Sequence, residues 1–261
     1  MPEGHVVHAD ARRLTAALAG RVVRASSPQG RFASGAAVLD GRVLCAAQAY
    51  GKNLFLRFSG SSGGAAPYLH VHLGLIGAWT WWDLAGVQLA GRPTRTATDA
   101  GVRLRLTGPD GVSAELRGMS TCALVDEQAM DAVVASLGPD PLRADADGSP
   151  AWARIRGSRV PIGALLLDQS VVAGAGLIWR CEAPFLAGIS PHRPGHSLGD
   201  VDWTRLWHEL RRIMRAAVDD GTPSFHVFRR GGEPCQQCGT TVETAVLRGR
   251  KVWWCPRHQP Y

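Results

Sequence analysis

The sequence lacks a long uninterrupted apolar run. Its most membrane-like stretch, residues 161–179, carries Asp168 and Gln169 near its middle and is broken by Gly174 and Gly176. A membrane-spanning helix needs about 20 consecutive apolar residues, and ionisable groups inside one are rare. The stretch therefore predicts a pair of buried helices and not a membrane span.

The first ten residues also lack the apolar segment of a secretory signal peptide. They carry polar and charged side chains instead: Glu3, His5, His8 and Asp10. We therefore expect a cytoplasmic protein, in which isolated disulfides are disfavoured. Three of the six cysteines have no partner at a recognisable spacing and are expected to be packing residues: Cys45, Cys122 and Cys181.

Acidic residues are in deficit, with 22 Asp and Glu against 29 Lys and Arg, which gives a net charge of +7. A basic surface favours polyanionic partners, nucleic acid above all, although a basic protein without such a role would have the same composition. Hydrophobic residues make up 45% of the 261 residues, which is enough for a packed core. At ~150 residues per domain, this length predicts one large or two smaller units.

The first half of the chain is rich in β-strand patterns. A helix is predicted over residues 5–18 from apolar side chains at helical spacing, and Gly20 ends it. Residues 22–125 then alternate apolar with polar side chains in short runs that glycine-rich turns separate, with a flexible loop at 59–67. Several short strands at this spacing predict a sandwich or a barrel.

The second half is helical. Residues 126–138 have a helical pattern, and residues 138–150 have the composition of a linker. The strongest helix is predicted over residues 202–220, with Asp202 as its cap, Gly221 at its end and apolar side chains on one face. We expect that face to be core.

The remaining cysteines form a metal-binding pattern. Two pairs of residues, each separated by two positions, flank predicted strands at residues 242–247 and 251–254. Paired ligands on two tight turns suit tetrahedral zinc, and four protein ligands make a closed, structural site. The predicted ligands are Cys235, Cys238, Cys255 and His258.

The hairpin between these ligand pairs carries three cations at its tip, Arg248, Arg250 and Lys251. A metal-braced hairpin lowers the entropy cost of positioning an arginine, so the tip is a candidate probe for phosphates or a minor groove. The alternative is an ordinary solvated turn.

Taken in order, these segments resemble one family, the bacterial formamidopyrimidine-DNA glycosylase and endonuclease VIII group of DNA repair enzymes. The start PEG, in place of PEL, leans toward the endonuclease VIII branch. The motifs that carry the resemblance span nearly the whole chain: MPEG at 1–4, YGKNLFL at 50–56, HVHLGLIGAW at 70–79, LGPDPL at 137–142, PIGALLLDQSVVAGAG at 161–176, FHVFRRGGEPCQQCG at 225–239 and GRKVWWCP at 249–256.

The resemblance implies an α+β multidomain fold. A two-layer β-sandwich with a leading helix would occupy residues 1–128, a helical domain with a helix–two-turns–helix motif residues 129–230, and a β-hairpin zinc finger residues 231–261. It also implies a monomer with one structural zinc. The partner would be double-stranded DNA with a damaged base or an abasic site, held between the two halves, so that the protein would associate with the nucleoid.

The resemblance also assigns chemistry to four residues. Pro2, once Met1 is removed, would present a secondary amine that attacks C1′ of the damaged nucleotide. Glu3 matches the family's general acid, although a carboxylate near a helix start also favours the helix dipole. Lys52 matches the proton donor of β-elimination, and Arg250 the arginine linked to δ-elimination.

Other positions are expected to contact DNA. Leu75, with Ile76 beside it, matches the residue that fills the space left by the flipped base, although periodicity alone also suits a core leucine. Glu182 matches a family carboxylate. His70 and His72 are expected to serve packing or the phosphate side, and not metal binding.

Several positions depart from the patterns of the family or of its purine-specific branch. Leu177 occupies a position where the family has a phosphate-binding Asn, and His258 stands where most relatives have Cys. Residues 116–126 lack the Arg and Phe that this branch inserts opposite the lesion, and the segment at 219–228 is short. The last two features favour oxidised pyrimidines as substrates, or a relaxed preference.

Three hypotheses follow. The first is a bifunctional DNA glycosylase and apurinic/apyrimidinic lyase that acts through Pro2. The second is a damaged-DNA-binding protein with impaired catalysis, because Leu177 removes a phosphate contact and a retained Met1 would block the amine. The third is an enzyme that prefers oxidised purines.

Overall fold

The chain forms two compact units, which we call the sandwich unit and the helical unit. The sandwich unit consists of Pro2 and Val6–Ala135, and the helical unit of Glu3–His5 and Ser136–Tyr261. The computed structural model describes residues 2–60, 67–91, 99–221 and 224–261. Met1 and the centre of the predicted loop at 59–67 lie outside these residues.

The first helix ends at Leu18, as its sequence pattern predicts, and begins at Gly4, one residue before the predicted start. It carries the apolar stripe Val7, Ala11, Leu14 and Leu18, all buried, into the core of the sandwich unit. The elements up to Ala135 are, in chain order, α1 (Gly4–Leu18), β1 (Arg24–Ser26), α2 (Ala33–Leu39), β2 (Leu44–Tyr50), β3 (Asn53–Phe58), β4 (Tyr68–His72), β5 (Ala78–Trp82), β6 (Gln88–Ala90), β7 (Val102–Thr107), β8 (Ser113–Arg117), β9 (Thr121–Val125) and α3 (Glu127–Ala135).

The strands form two antiparallel sheets, in the orders β1-β7-β8-β5-β6 and β2-β3-β4-β9. The predicted sandwich is therefore confirmed. Alternation along β7 places Val102, Leu104 and Leu106 inside, as expected for a sheet with one buried face. Leu104 and Leu106 share a core with Leu54 and Leu56 of the other sheet.

The helical unit contains short helices, one long helix and a hairpin. Its elements are α4 (Ser149–Ile155), α5 (Ile162–Leu165), α6 (Trp179–Leu186), α7 (Asp200–Asp220), β10 (Glu243–Leu247) and β11 (Arg250–Trp254), with a turn of 3₁₀-helix at Gly195–Ser197. In the described part of the chain, no helix has the length and apolarity that a membrane span requires. The predicted linker contains buried Asp140 and Pro141, and the predicted boundaries after 128 and 230 remain predictions.

The prediction of two helices within residues 161–179 is only partly correct. α5 is a single turn, and α6 begins at Trp179. Polar side chains between them bind the backbone in place of helical hydrogen bonds. Gln169 donates to the carbonyl of Ala175 at 2.9 Å and accepts from the amide of Gly174 at 2.9 Å.

The long helix α7 begins two residues earlier than its sequence predicts. Gly199 is the N-cap, and Asp202 is the third helical residue, whose carboxylate accepts the Gly199 amide at 3.4 Å. Asp202 therefore caps the helix as half of a capping box and not as the cap residue itself. Gly221 ends the helix with a φ of 83°, as predicted.

The zinc hairpin has the predicted strands and turn. Leu247 pairs with Arg250 across a two-residue connection, in which Arg248 and Gly249 have φ values of 52° and 74°. Positive φ at both positions is typical of a type I′ turn, whose twist matches the strands. Val252 is buried in the same core as the helices, so the hairpin is packed on the helical unit.

One buried carboxyl in α1 generates a testable prediction. Asp10 is 5% exposed, and burial raises its pKa to about 7. Its Oδ2 has no hydrogen-bond partner in the described part of the chain. The unfolded chain releases this proton near pH 4, so stability falls as pH rises from about 4 to 7.

We predict that Asp10→Asn removes this loss. At pH 8 the variant should be more stable than the wild type by up to ~4 kcal/mol, the value of a pKa shift from 3.8 to about 7, and near pH 4 the two should match. Urea unfolding at both pH values measures this. Asp131→Asn, at an exposed position of α3, is the control. An unchanged pH dependence in Asp10→Asn would contradict the assignment.

Candidate active site

Glu3 is the most deeply buried charged residue near the chain terminus. Its exposure is 0%, and its Oε1 accepts the backbone amide of Ile178 at 2.9 Å. Gly176 makes this possible, because a Cβ at that position would clash with the Glu3 Cδ. The carboxyl group is thus fixed at the start of α6 by a buried hydrogen bond.

Gly4, the last residue of the MPEG motif, packs closely against another part of the backbone. Its amide donates to the Gly174 carbonyl at 2.9 Å, and a Cβ on Gly4 would lie 2.9 Å from the Gly174 Cα. Gly174 itself has a φ of 87°, which other residues rarely adopt. Two glycines therefore allow the backbones to touch.

His5 completes the anchor. Its Nδ1 accepts the indole N–H of Trp179 at 3.1 Å, with the two rings edge to face. Burial lowers the pKa of His5 to about 4, so the ring is neutral at neutral pH, as an acceptor at Nδ1 must be. Residues 3–5 are therefore tied to the helical unit through backbone, carboxylate and imidazole.

The sandwich unit carries Pro2, Lys52 and the predicted wedge. Pro2 and Lys52 are partly exposed, Lys52 in the two-residue turn between β2 and β3. Leu75 and Ile76 are 62% and 68% exposed, which excludes the alternative of a core leucine. Exposed apolar neighbours at a loop tip are available to contact a partner.

The hairpin tip presents its three cations to solvent. Arg248, Arg250 and Lys251 are all exposed. Beneath them Arg180, which is fully buried, donates to the backbone carbonyl of Arg250 at 3.4 Å. Its Nε and Nη1 have no hydrogen-bond partner among the described residues. Burial of an arginine costs free energy. The sequence analysis did not single out Arg180, although a charged residue among the apolar residues of α6 was a signal that could have found it.

Glu182 is a buried carboxylate, and its DNA contact remains a prediction. It is 3% exposed, and its carboxylate accepts the backbone amides of His226, Val227 and Phe228 and contacts the His226 ring. Burial opposes its ionisation, but these hydrogen bonds lower its pKa below the ordinary value. The geometry gives Glu182 a role in holding the segment before the zinc finger.

Three of the four predicted metal ligands lie together. The Sγ atoms of Cys235, Cys238 and Cys255 are all within 4.8 Å of one another. Cys235 and Cys255 are buried and Cys238 is partly buried, as a closed structural site requires. Three thiols at this separation fit zinc, which would cross-link the two knuckles and brace the hairpin.

His258, the fourth predicted ligand, contacts the helical unit. Its Nε2 lies 3.1 Å from the Phe185 carbonyl, and its amide donates to the Cys255 Sγ at 3.4 Å. If Nε2 donates to that carbonyl, Nδ1 is the nitrogen with a lone pair for a metal, an arrangement common in metal sites. The ring is not in the compact thiol set, so its ligation remains a prediction.

Leu177, at the position of the family Asn, is partly buried and packs against the helical core. It has no polar group to offer a phosphate. Two backbone amides near it already have acceptors within the protein. The Ile178 amide donates to the Glu3 carboxyl group, and the Arg180 amide donates to the Gly176 carbonyl at 3.1 Å.

Family comparisons agree with this architecture. Residues 1–122 match the formamidopyrimidine-DNA glycosylase N-terminal domain, residues 137–228 the H2TH domain of that enzyme, and residues 232–257 the zinc finger found in FPG and IleRS. The chain therefore contains the three parts of a zinc-finger protein of the helix–two-turns–helix class.

Relatives cover the whole length. The chain is 44% identical to Endonuclease 8 1 of Mycobacterium tuberculosis over 98% of both chains, and 31% identical to formamidopyrimidine-DNA glycosylase of Stutzerimonas stutzeri over 85% of this chain and 83% of that protein. A structure of Lactococcus lactis Fpg with abasic-site DNA has a TM-score of 0.81 at 22% identity, over 99% of this chain and 100% of that one. The chain belongs to the formamidopyrimidine-DNA glycosylase and endonuclease VIII family of DNA glycosylases.

The zinc site generates one prediction. Purified protein should hold one zinc, and Cys238→Ser should lose it and expose the hairpin to proteolysis, because metal binding and folding of such a finger are coupled. Metal content and limited proteolysis measure both effects. Cys45→Ser, at a partly buried cysteine outside the cluster, is the control. His258→Ala should lower zinc affinity at least tenfold, and unchanged affinity would show that His258 is not a ligand.

The Glu3 anchor generates another prediction. Gly176→Ala should destabilise the protein by roughly 1–3 kcal/mol, the usual cost of overpacking, because its Cβ would clash with the Glu3 side chain. Gly157→Ala is the matched control, since a Cβ there meets nothing within 4 Å. Equal stability of the two variants in urea unfolding would contradict the close packing.

Proposed function

We propose that this chain is a bifunctional DNA glycosylase and apurinic/apyrimidinic lyase of base excision repair. It acts on double-stranded DNA and removes oxidised bases, pyrimidines above all. The observation that carries the proposal is the anchoring of residues 3–5, in which Glu3 is fully buried and bonded to the Ile178 amide. Chain termini are usually frayed, and a terminus tied down in this way suits a nucleophile at position two.

The proposed reaction begins at Pro2. With Met1 removed, its secondary amine attacks C1′ of the damaged nucleotide, the N-glycosidic bond breaks and the base leaves with the proton that the amine loses. Glu3 protonates the sugar ring oxygen as the ring opens, and an iminium joins Pro2 to C1′. The iminium acidifies the C2′ proton, so the phosphate on C3′ is eliminated first and the phosphate on C5′ second.

Two cations would serve these steps. Lys52 lies in a tight turn, where a partly buried ammonium can reach a phosphate or deliver a proton in β-elimination. Arg250 begins β11 behind a rigid type I′ turn. Because its carbonyl is held by Arg180, the guanidinium starts from a fixed backbone when it binds the phosphates next to the lesion, and Arg248 and Lys251 add charge beside it.

The exposed Leu75 and Ile76 support base flipping. A glycosylase must take its target base out of the stack, and apolar side chains inserted into the duplex compensate for the lost stacking. Both side chains are more than half exposed, which makes them available for this task.

The preference for pyrimidines rests on the sequence departures and on the relative named Endonuclease 8 1, at 44% identity. Residues 116–126 lack the Arg and Phe of the purine branch. A second candidate function, damaged-DNA binding without catalysis, is favoured by the packing of Leu177 into the helical core, where the family has a phosphate-binding amide.

Borohydride trapping tests the proposal. The iminium formed on DNA with an abasic site or thymine glycol should be reduced to a stable amine that joins protein to DNA. The matched control is the same protein with an uncleaved N-terminal tag, whose amide at Pro2 cannot attack. We expect adduct only after the tag is removed to leave Pro2 at the terminus.

Two results would contradict the proposal. Equal adduct from the tagged protein would exclude Pro2 as the nucleophile. Binding of damaged duplex without any adduct or strand cleavage would support the second candidate function. Faster release of oxidised guanine than of thymine glycol would refute the pyrimidine preference alone.

A further inference from the structure

The loop between β4 and β5, residues 73–77, is built to hold its tip rigidly. We call it the GLIG loop. Leu73 is buried, whereas Leu75 and Ile76 stand in solvent. The Gly77 amide closes the loop by donating to the Leu73 carbonyl at 2.9 Å.

Both glycines of this loop are sterically required. Gly74 has a φ of 65°, and a Cβ on it would lie 3.0 Å from the Ser120 Cβ. A Cβ on Gly77 would collide with the Leu73 carbonyl. Residues with side chains at these positions would push the loop out of its conformation.

His72 fastens this loop to the rest of the sandwich unit. Its Nδ1 accepts the Gly74 amide at 3.1 Å and lies 3.0 Å from the Ser120 Oγ. The Ser120 amide donates to the His72 carbonyl at 2.9 Å, and the single proton of the Ser120 hydroxyl is shared between that carbonyl, 2.9 Å away, and Nδ1. The imidazole therefore stands between the first residue of the loop tip and the turn before β9.

This geometry defines the state of the ring. A nitrogen that accepts a backbone N–H carries no proton, so His72 is neutral with its proton on Nε2. Burial, and then the positive charge of Lys52, lower its pKa. The titratable groups that act on the ring are Lys52, from the turn between β2 and β3, and His70 on β4, whose pKa is also lowered. From the turn before β9, the Ser120 hydroxyl faces the ring.

We propose that His72 is a positioning residue for the apolar wedge. By accepting the Gly74 amide at Nδ1, it fixes the GLIG loop so that Leu75 and Ile76 enter the base stack together. Loss of that acceptor frees the loop tip, and the duplex then closes before the damaged base reaches its pocket. This role rests on the proposed function, because it concerns base flipping by a glycosylase.

Two substitutions separate the ring nitrogens. The Oδ1 of Asn lies close to the position of Nδ1 in His, so His72→Asn keeps an acceptor for the Gly74 amide. The amide oxygen of Gln reaches the position of Nε2, so His72→Gln loses it. Leu75→Ala removes half of the wedge itself. Leu84→Ala, at a leucine that is 83% exposed, is the matched control for surface leucines.

The first measurement compares base excision with abasic-site cleavage. Excision of thymine glycol from duplex DNA requires flipping of an intact base, whereas cleavage of a preformed abasic site needs no such step. We expect His72→Gln and Leu75→Ala to lose at least tenfold in excision and a clearly smaller factor in abasic-site cleavage. His72→Asn should stay within threefold of the wild type, and Leu84→Ala should match it.

The second measurement needs no catalysis. Exchange of the Gly74 amide with deuterium, followed by NMR, should be slow in the wild type and in His72→Asn and at least tenfold faster in His72→Gln. As pH falls through the range in which His72 takes up a proton, the Gly74 amide of the wild type should become less protected against exchange. In His72→Asn, whose side chain does not titrate, its protection should not change in this way.

Several outcomes would overturn the role of His72. Equal protection of the Gly74 amide in the Asn and Gln variants would exclude Nδ1 as the hydrogen-bond acceptor that holds the loop. Equal losses in excision and abasic-site cleavage would point to a contribution outside the wedge. A wild-type protein that forms no adduct with abasic-site DNA refutes the proposed function, and the exchange experiment then still decides whether His72 holds the loop.

Discussion

The closest packing in the site joins the first residues of the chain to the segment before α6. Gly4 touches Gly174 backbone to backbone, and Gly176 leaves room for the Glu3 side chain. Neither contact would survive an added Cβ without movement of the backbone or the carboxylate. Everything proposed for Pro2 depends on this packing, because a nucleophile at position two needs a terminus with a fixed position.

Buried polar groups carry much of this arrangement, and its two buried glutamates are bonded to backbone amides. Glu3 accepts one amide and Glu182 accepts three, so each carboxylate replaces hydrogen bonds that the surrounding loops would otherwise lack. His5 and His72 act as neutral acceptors. Removal of one partner would leave a buried donor unpaired, which typically costs about 1–3 kcal/mol, and the site is therefore sensitive to side chains that do not touch DNA.

Much of the fold could be predicted because its signals are local. The hairpin turn at Arg248 and Gly249, the stripe of α1 and the spacing of Cys235 and Cys238 depend on neighbouring residues only. α2 (Ala33–Leu39), a helix inside the segment predicted to consist of strands, was missed because it has little apolar periodicity.

The candidate site was predictable in its residue types and less so in their roles. Leu75 was ambiguous between core and wedge until its exposure was known. The DNA contact of Glu182 remains a prediction, and the three amides that it binds come from residues more than 40 positions later in the chain. Long-range pairing of this kind leaves no pattern in a single sequence. The same holds for Arg180, whose contact with Arg250 spans 70 positions.

The most direct test of the account is to locate the covalent bond. Protein reduced with borohydride on abasic-site DNA, then digested and sequenced by mass spectrometry, should carry the sugar remnant on the nitrogen of Pro2, with Met1 absent. A remnant on a lysine side chain such as Lys52, or no remnant on an N-terminus that begins with Pro2, would contradict the claim that the anchored terminus is the nucleophile.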